Sequence, residues 1–187
     1  MTVSDVFRRI IAALDRSGIP YMLSGSFASA HYGTPRSTQD IDFVIEASPT
    51  QLRALVSGLP TGEYYVELDA ALNALRRESM FNVIDLATGW KIDLIVRKSR
   101  AFSETEFSRR QKVNLHGIEI FLVSAEDAVI SKLEWAKRAQ SQRQIEDVAI
   151  ILRVRWDGLD HSYLEKWVRD LGLQKEWEQA KYSAGVE

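Results

Sequence analysis

Apolar positions recur along this chain at two different periods. Phe7, Ile10, Ile11 and Leu14 stand at helical spacing behind Ser4, a residue suited to an N-cap, and "SGIP" closes the run, so the spacing predicts an amphipathic helix. "YMLSGS" predicts a short buried strand. The small residues from Phe27 to His31 predict a helical turn, followed by a loop at Gly33, Thr34 and Pro35. In "DIDFVIE" the period becomes two, with Asp40, Asp42 and Val44 on one face and Ile41, Phe43 and Ile45 on the other, which is strand patterning. "SPTQLRALVSGL" predicts a helix behind a Ser-Pro start. "FNVIDLATGWKIDLIVRK" reads as two strands joined by a turn at Ala87, Thr88 and Gly89; the second sets Trp90, Ile92, Leu94 and Val96 against Lys91, Asp93 and Ile95. "KVNLHGIEIFLVS" is a further strand pair with His116 and Gly117 at its turn.

From Ser124 the helical period returns. "SAEDAVISKLEWAKRAQ" opens with Ser124 and Asp127 at capping-box spacing, and further helices are predicted near 144–153, 163–170 and 174–182. Four of the five tryptophans follow residue 134, where they read as packing of the helical part. The order predicts a mixed α/β core over 1–123 and a helical C-terminal part over 124–187 packed on that core. An enzyme and a binding module could both be built this way.

Composition narrows the function classes. At 187 residues the chain can bury a core without staples, and with no cysteine it has neither a disulfide framework nor a Cys-based zinc site. His31, His116 and His161 are far apart and lack metal-ligand spacing, and "SGSFAS" departs from the G-x-S-x-G pattern of serine hydrolases. The N-terminal apolar run holds two arginines and no stretch is long enough to span a bilayer, so the expectation is a cytoplasmic protein without a membrane segment. The net charge of −2 hides one basic run: Arg97, Lys98, Arg100, Arg109, Arg110 and Lys112 against Glu104 and Glu106. It reads either as solvated surface or as a place to meet a polyanion.

The chemistry gathers around Asp40 and Asp42. Two carboxylates two apart on a strand project from one face with Cα atoms roughly 6.5 to 7 Å apart, close enough to converge on a divalent cation, although an exposed strand start would also tolerate them. Gly25 and Ser26 leave a strand and enter a helical turn, where backbone N–H groups and a hydroxyl can meet a phosphate. Together these are two halves of a nucleoside triphosphate site. A third carboxylate is expected for group transfer. Asp93 is the candidate on an otherwise apolar strand, and Asp85, close to a turn, is the weaker alternative.

"GS", thirteen residues, then "DID" preceded by "PRSTQ", with a later "KIDLIV", resembles the nucleotidyltransferase superfamily typified by DNA polymerase beta. The form "RSTQDID" and the C-terminal "SAEDAVISKLEWAKRAQSQRQIEDVAIIL" are similar to its AbiEii-type branch of toxin-antitoxin and phage-defence enzymes. The resemblance spans residues 21–152, with a gap in the middle. It implies an α+β fold, a nucleotidyltransferase-like mixed β-sheet flanked by helices with a helical C-terminal lobe. It also implies a transferase that moves a nucleoside monophosphate from an NTP to RNA, such as a tRNA end, or to a protein side chain. Asp40, Asp42 and Asp93 would hold Mg2+, or Mn2+ in its place, with Asp93 helping to deprotonate the acceptor hydroxyl. Gly25 and Ser26 would hold the β and γ phosphates, Lys132 would neutralise triphosphate charge with Asp147 accompanying it, and Arg36 and Thr38 would fix the loop or contact phosphate. A cognate antitoxin is the implied partner. Two other functions remain open at this point: a nucleotide-binding regulatory or antitoxin-like module that does not turn over, and an interaction protein whose carboxylates merely line a strand edge.

Overall fold

In the computed structural model, residues 2–33, 38–115 and 117–186 are described, and they divide into two units, 2–24 with 38–122 and 25–33 with 123–186. The chain opens with helix α1 (Val3–Arg16), capped by Thr2 rather than Ser4: the Thr2 hydroxyl accepts from the Asp5 N–H while the Asp5 carboxylate accepts from the Thr2 N–H. Helix α3 (Pro49–Gly58) starts the same way, with Ser48 and Gln51 as the reciprocal pair and proline at the first helical position.

The first unit is built on seven strands: β1 (Tyr21–Leu23), β2 (Asp40–Ile45), β3 (Tyr64–Tyr65), β4 (Met80–Asp85), β5 (Lys91–Val96), β6 (Gln111–Leu115) and β7 (Ile118–Leu122). Their order is β3-β4-β5-β2-β1-β7-β6, with β2 parallel to β5, β1 parallel to β7 and the other pairs antiparallel. Ile41, Phe43 and Ile45 of β2 and Ile92, Leu94 and Val96 of β5 are buried on one face, as the period of two requires. Phe43 takes the rings of Phe7 and Tyr21 edge-on at 6.2 and 5.5 Å. Helices α1, α3 and α4 (Leu68–Arg77) belong to the same unit, with α1 contacting β7 and α4 contacting β4 and β5.

Two features of this unit revise the sequence reading. A helix, α5 (Ala101–Ser108), lies inside the basic run, where dense charge masked the burial of Phe102 and Phe107. Several of the cations there have local work. Arg97 pairs with Glu46 at 2.8 Å, Lys112 with Glu119 at 2.7 Å, and Arg110 lies over the rings of Phe107 and Phe121. Three of the six cations of that run are thereby engaged within the fold. Asp85, the weaker alternative as third carboxylate, is 1% exposed and closes the β4–β5 turn by accepting from the N–H groups of Ala87 and Thr88, both at 3.1 Å, and from Arg9. Asp85→Ala is expected to cost about 2 to 3 kcal/mol in urea unfolding, because it orphans two N–H groups and takes a carboxylate away from the Arg9 guanidinium, which keeps Tyr64 as an acceptor. A cost below about 0.5 kcal/mol would show that the turn holds without it.

The second unit is helical. Helix α2 (Gly25–Tyr32) is longer than the single turn predicted, and α6 (Ala125–Ala139), α7 (Gln142–Arg155), α8 (His161–Asp170) and α9 (Gln174–Ala184) follow. Ser124 caps α6 and donates at 2.6 Å to the fully buried Asp127, which also accepts from Tyr163 of α8. Tyr32 of α2 donates to the Val123 carbonyl at 2.7 Å, and Gly33 passes so close to α7 that a Cβ there would lie 2.7 Å from Ile150. Trp167 and Trp177 are buried among these helices as expected, but Trp135 is 53% exposed. Among the described residues no helix is long and apolar enough to cross a membrane.

Candidate active site

Three side chains of one sheet face stand in register across strands β4, β5 and β2. Asn82 is opposite Asp93, and Asp93 is opposite Asp42; in the next row Ile84 is opposite Lys91 and Lys91 is opposite Asp40. Alternation along each strand puts these residues on the face away from Phe43 and Leu94, so the polar stretch of this face is a consequence of strand pairing. Asp40 is exposed and Asp42 half-buried, whereas Asp93 is only 6% exposed.

A carboxylate as buried as Asp93 requires partners. Asn82 Nδ2 donates to Asp93 Oδ1, and the Lys91 ammonium lies 3.2 Å from Asp93 Oδ2 and 3.3 Å from Asp40 Oδ1. Burial alone would lower the pKa of Lys91, but its hydrogen bonds and charge interactions with Asp93 and Asp40 outweigh that and leave it raised. Thr38, at the entry to β2, has its hydroxyl 3.3 Å from both the backbone N and O of Asp40. Arg36 lies outside the described residues.

The donors Asp40, Asp42 and Asp93 are all carboxylate oxygens, the hard ligands that magnesium and manganese take. The ammonium already drawn onto two of them shows that this face is negative enough to hold a cation, so the residues fit a hard divalent ion. Among the described residues no three acidic, histidine or cysteine side chains form a group that could hold a metal ion by themselves.

In the other unit, Gly25 follows Ser24, whose N–H donates to the Asp42 carbonyl at 2.8 Å, and opens α2 with φ +60°. That left-handed conformation favours glycine at the corner between strand and helix. Ser26, half-buried, is the second residue of the helix. Lys132 on α6 and Asp147 on α7 form a buried ion pair at 2.7 Å with side chains 8% and 7% exposed, and Gln144 accepts from the same ammonium at 3.0 Å. The neighbouring Glu146 is exposed, and it is Asp147 that pairs with Lys132.

The family model described as "Nucleotidyltransferase of unknown function (DUF6036)" matches residues 10–184. The chain belongs to this nucleotidyltransferase family. It is therefore an enzyme of the class that transfers nucleotidyl groups, and its α+β fold, a mixed sheet flanked by helices, is shared with solved nucleotidyltransferases. The antibiotic-resistance factor ANT(2'')-Ia superposes with a TM-score of 0.58 at 16% identity, covering 97% of this chain and 98% of its own. The lincosamide antibiotic adenylyltransferase LnuA gives 0.55 at 12% identity over 81% of this chain and 96% of its own. An antigenic nucleotidyltransferase-like protein from Paracoccidioides brasiliensis gives 0.53 at 17% identity over 95% and 90%. No curated protein matches the sequence.

Within this nucleotidyltransferase, Lys91 and Asn82 are the site neighbours that reading the sequence missed as functional. The signal for Lys91 was present, since alternation puts it on the face of Asp93. Its partner Asp40 and the role of Asn82 depend on which strands become neighbours.

Proposed function

We propose that this nucleotidyltransferase moves a nucleoside monophosphate from an NTP to a hydroxyl acceptor in the cytoplasm, using magnesium, or manganese in its place, held by Asp40, Asp42 and Asp93. The observation that carries this reading is the in-register Asp42–Asp93 pair on adjacent parallel strands, with Asn82 fixing one Asp93 oxygen. The bound metal would supply positive charge to the triphosphate and to the pyrophosphate leaving group. Asp93, oriented through Oδ1 by Asn82, would help to deprotonate the acceptor hydroxyl once Lys91 withdraws. The acceptor oxygen then forms its bond to the α-phosphorus as the bond from that phosphorus to the bridging oxygen breaks, and pyrophosphate departs.

Gly25 and Ser26 hold β and γ phosphate oxygens through the exposed N–H groups of a helix start and a hydroxyl. Thr38 keeps the start of β2 in place, and Arg36 is assigned a phosphate contact. Among the described residues Asp147 and Gln144 accept from the Lys132 ammonium, and a further N–H donor is assigned to a phosphate oxygen. Ser26→Ala is expected to weaken NTP binding by about 1 to 3 kcal/mol, the worth of a hydrogen bond to a charged group, read by calorimetric titration. An unchanged Kd would remove Ser26 from the phosphate site.

For the acceptor, the AbiEii-type resemblance supports RNA, such as a tRNA end, or a protein hydroxyl, within a toxin-antitoxin or phage-defence role and with a cognate antitoxin as partner. The use of Arg97, Arg110 and Lys112 within the fold weakens the case for a polyanion in particular, and the antibiotic-modifying neighbours add a small hydroxylated molecule to the acceptors worth testing. A second reading, a nucleotide-binding module without turnover, has one observation in its favour: Lys91 already occupies Asp40 and Asp93.

The deciding experiment incubates the protein with each α-labelled NTP and magnesium, in separate arms with total RNA, total protein and a panel of hydroxylated antibiotics, beside Asp42→Asn. Label transferred only by the wild type supports the enzyme and reveals base and acceptor class. Magnesium-dependent NTP binding without transfer favours the module, and absence of both overturns the reading.

A further inference from the structure

We propose that Lys91 is a built-in cation of the carboxylate face, holding Asp93 and Asp40 while no metal is bound and giving up Asp93 when a divalent ion arrives. The inference rests on the reading of Asp40, Asp42 and Asp93 as metal ligands, and it adds a residue that tunes how tightly metal is taken.

Lys91 precedes Asp93 by two residues on β5 and so shares its face, and the parallel pairing of β5 with β2 sets it opposite Asp40. Its ammonium reaches one oxygen of each acid, at 3.2 and 3.3 Å, while Asn82 takes the other oxygen of Asp93. Both oxygens of Asp93 are thereby in use. A divalent ion that engages Asp93 together with Asp40 or Asp42 shares one small set of oxygens with the ammonium, and two cations there repel. Only one of the present partners can leave cheaply. The Asn82 amide is neutral and does not oppose a metal, whereas the Lys91 side chain is 41% exposed and long enough to turn its charge to solvent with its stem still on the sheet.

A buried carboxylate with like-charged neighbours would be costly without a counter-ion. Lys91 supplies one in the metal-free protein at the expense of metal affinity. Once displaced, the ammonium remains on the same strand and is free to meet the negative charge of an incoming metal-bound triphosphate, so metal alone binds less tightly than it would to the bare carboxylates.

The test titrates Mn2+ into the full chain without nucleotide, following loss of the free-ion electron paramagnetic resonance signal, for wild type, Lys91→Met and Lys91→Arg. Lys91→Met is expected to lower the Kd about tenfold, with a larger Mn2+-induced rise in Tm, while Lys91→Arg binds no more tightly than wild type. Equal Kd values for wild type and Lys91→Met overturn this inference and leave the metal reading standing. Failure of all three proteins to bind Mn2+ overturns the metal reading and the inference with it. A second measurement needs no variant: in the wild type, the side-chain 15N resonance of Lys91 is expected to move toward the position of a solvated lysine as Mg2+ is added. A resonance unmoved at Mg2+ saturation overturns the displacement.

Discussion

Asp42→Asn is expected to lower nucleotidyl transfer by at least about a thousandfold while the urea midpoint stays at or slightly above that of the wild type. The substitution keeps the side-chain shape and removes one negative charge. That charge faces Asp93 across the β2–β5 pair, so its loss relieves repulsion between the two carboxylates. In the transferring enzyme the same charge is an anionic ligand of the metal, whose stabilisation of the developing phosphate charge is worth several kcal/mol, and each 1.36 kcal/mol is about tenfold in rate. Asp40→Asn should act in the same direction. Its contact with Lys91 joins two half-exposed groups, so the loss of that pair adds little instability, about 0 to 1 kcal/mol. Single-turnover label transfer and urea unfolding measured on the same preparations test both halves; a folded Asp42→Asn protein with wild-type transfer would sink the assignment of the carboxylates.

Lys132→Met is expected to cost about 3 to 5 kcal/mol of stability, the largest loss predicted for a single side chain here. The Lys132–Asp147 pair is buried on both sides, and removing the ammonium takes from a buried carboxylate the cation that lies 2.7 Å away. Asp147→Leu should cost a similar amount by stranding the lysine, with Gln144 as its remaining hydrogen-bond partner. Replacing both residues together is expected to recover most of the loss, because an apolar pair of similar volume avoids the desolvation that the ions must offset. Urea unfolding of wild type, the two single variants and the double variant gives the coupling directly. Single losses under about 1 kcal/mol would mean that the pair does not hold α6 to α7. Transfer assays on the double variant then ask a separate question: if stability returns and transfer does not, the further N–H donor of Lys132 has work beyond the fold.

Much of the candidate site was legible before any coordinates. The alternation in "DIDFVIE" and "KIDLIV" assigned each acid to a face, and the Gly-Ser corner marked the passage from β1 into α2, where Gly25 does take a left-handed φ. Ser124 was readable as a cap because a hydroxyl three residues ahead of an N–H is a local arrangement. The failures are also physical. Helix α5 was hidden because its burial of Phe102 and Phe107 follows from the tertiary fold and leaves little helical stripe in eight residues. The basic run looked like a free surface because charges distant in sequence, Glu46 for Arg97 above all, are what engage it.

What the sequence by itself determined was the face each carboxylate occupies, the ends of several helices and the absence of cysteine chemistry, since these depend on backbone period, neighbours within a turn, or composition. Only the tertiary structure decided that Asp93 stands beside Asp42 and is held by Asn82, that Lys91 reaches Asp40, and that Asp147 rather than Glu146 receives Lys132. Strand order and helix packing bring together segments far apart in the chain, and the burial they jointly produce selects those partners, which no local period records.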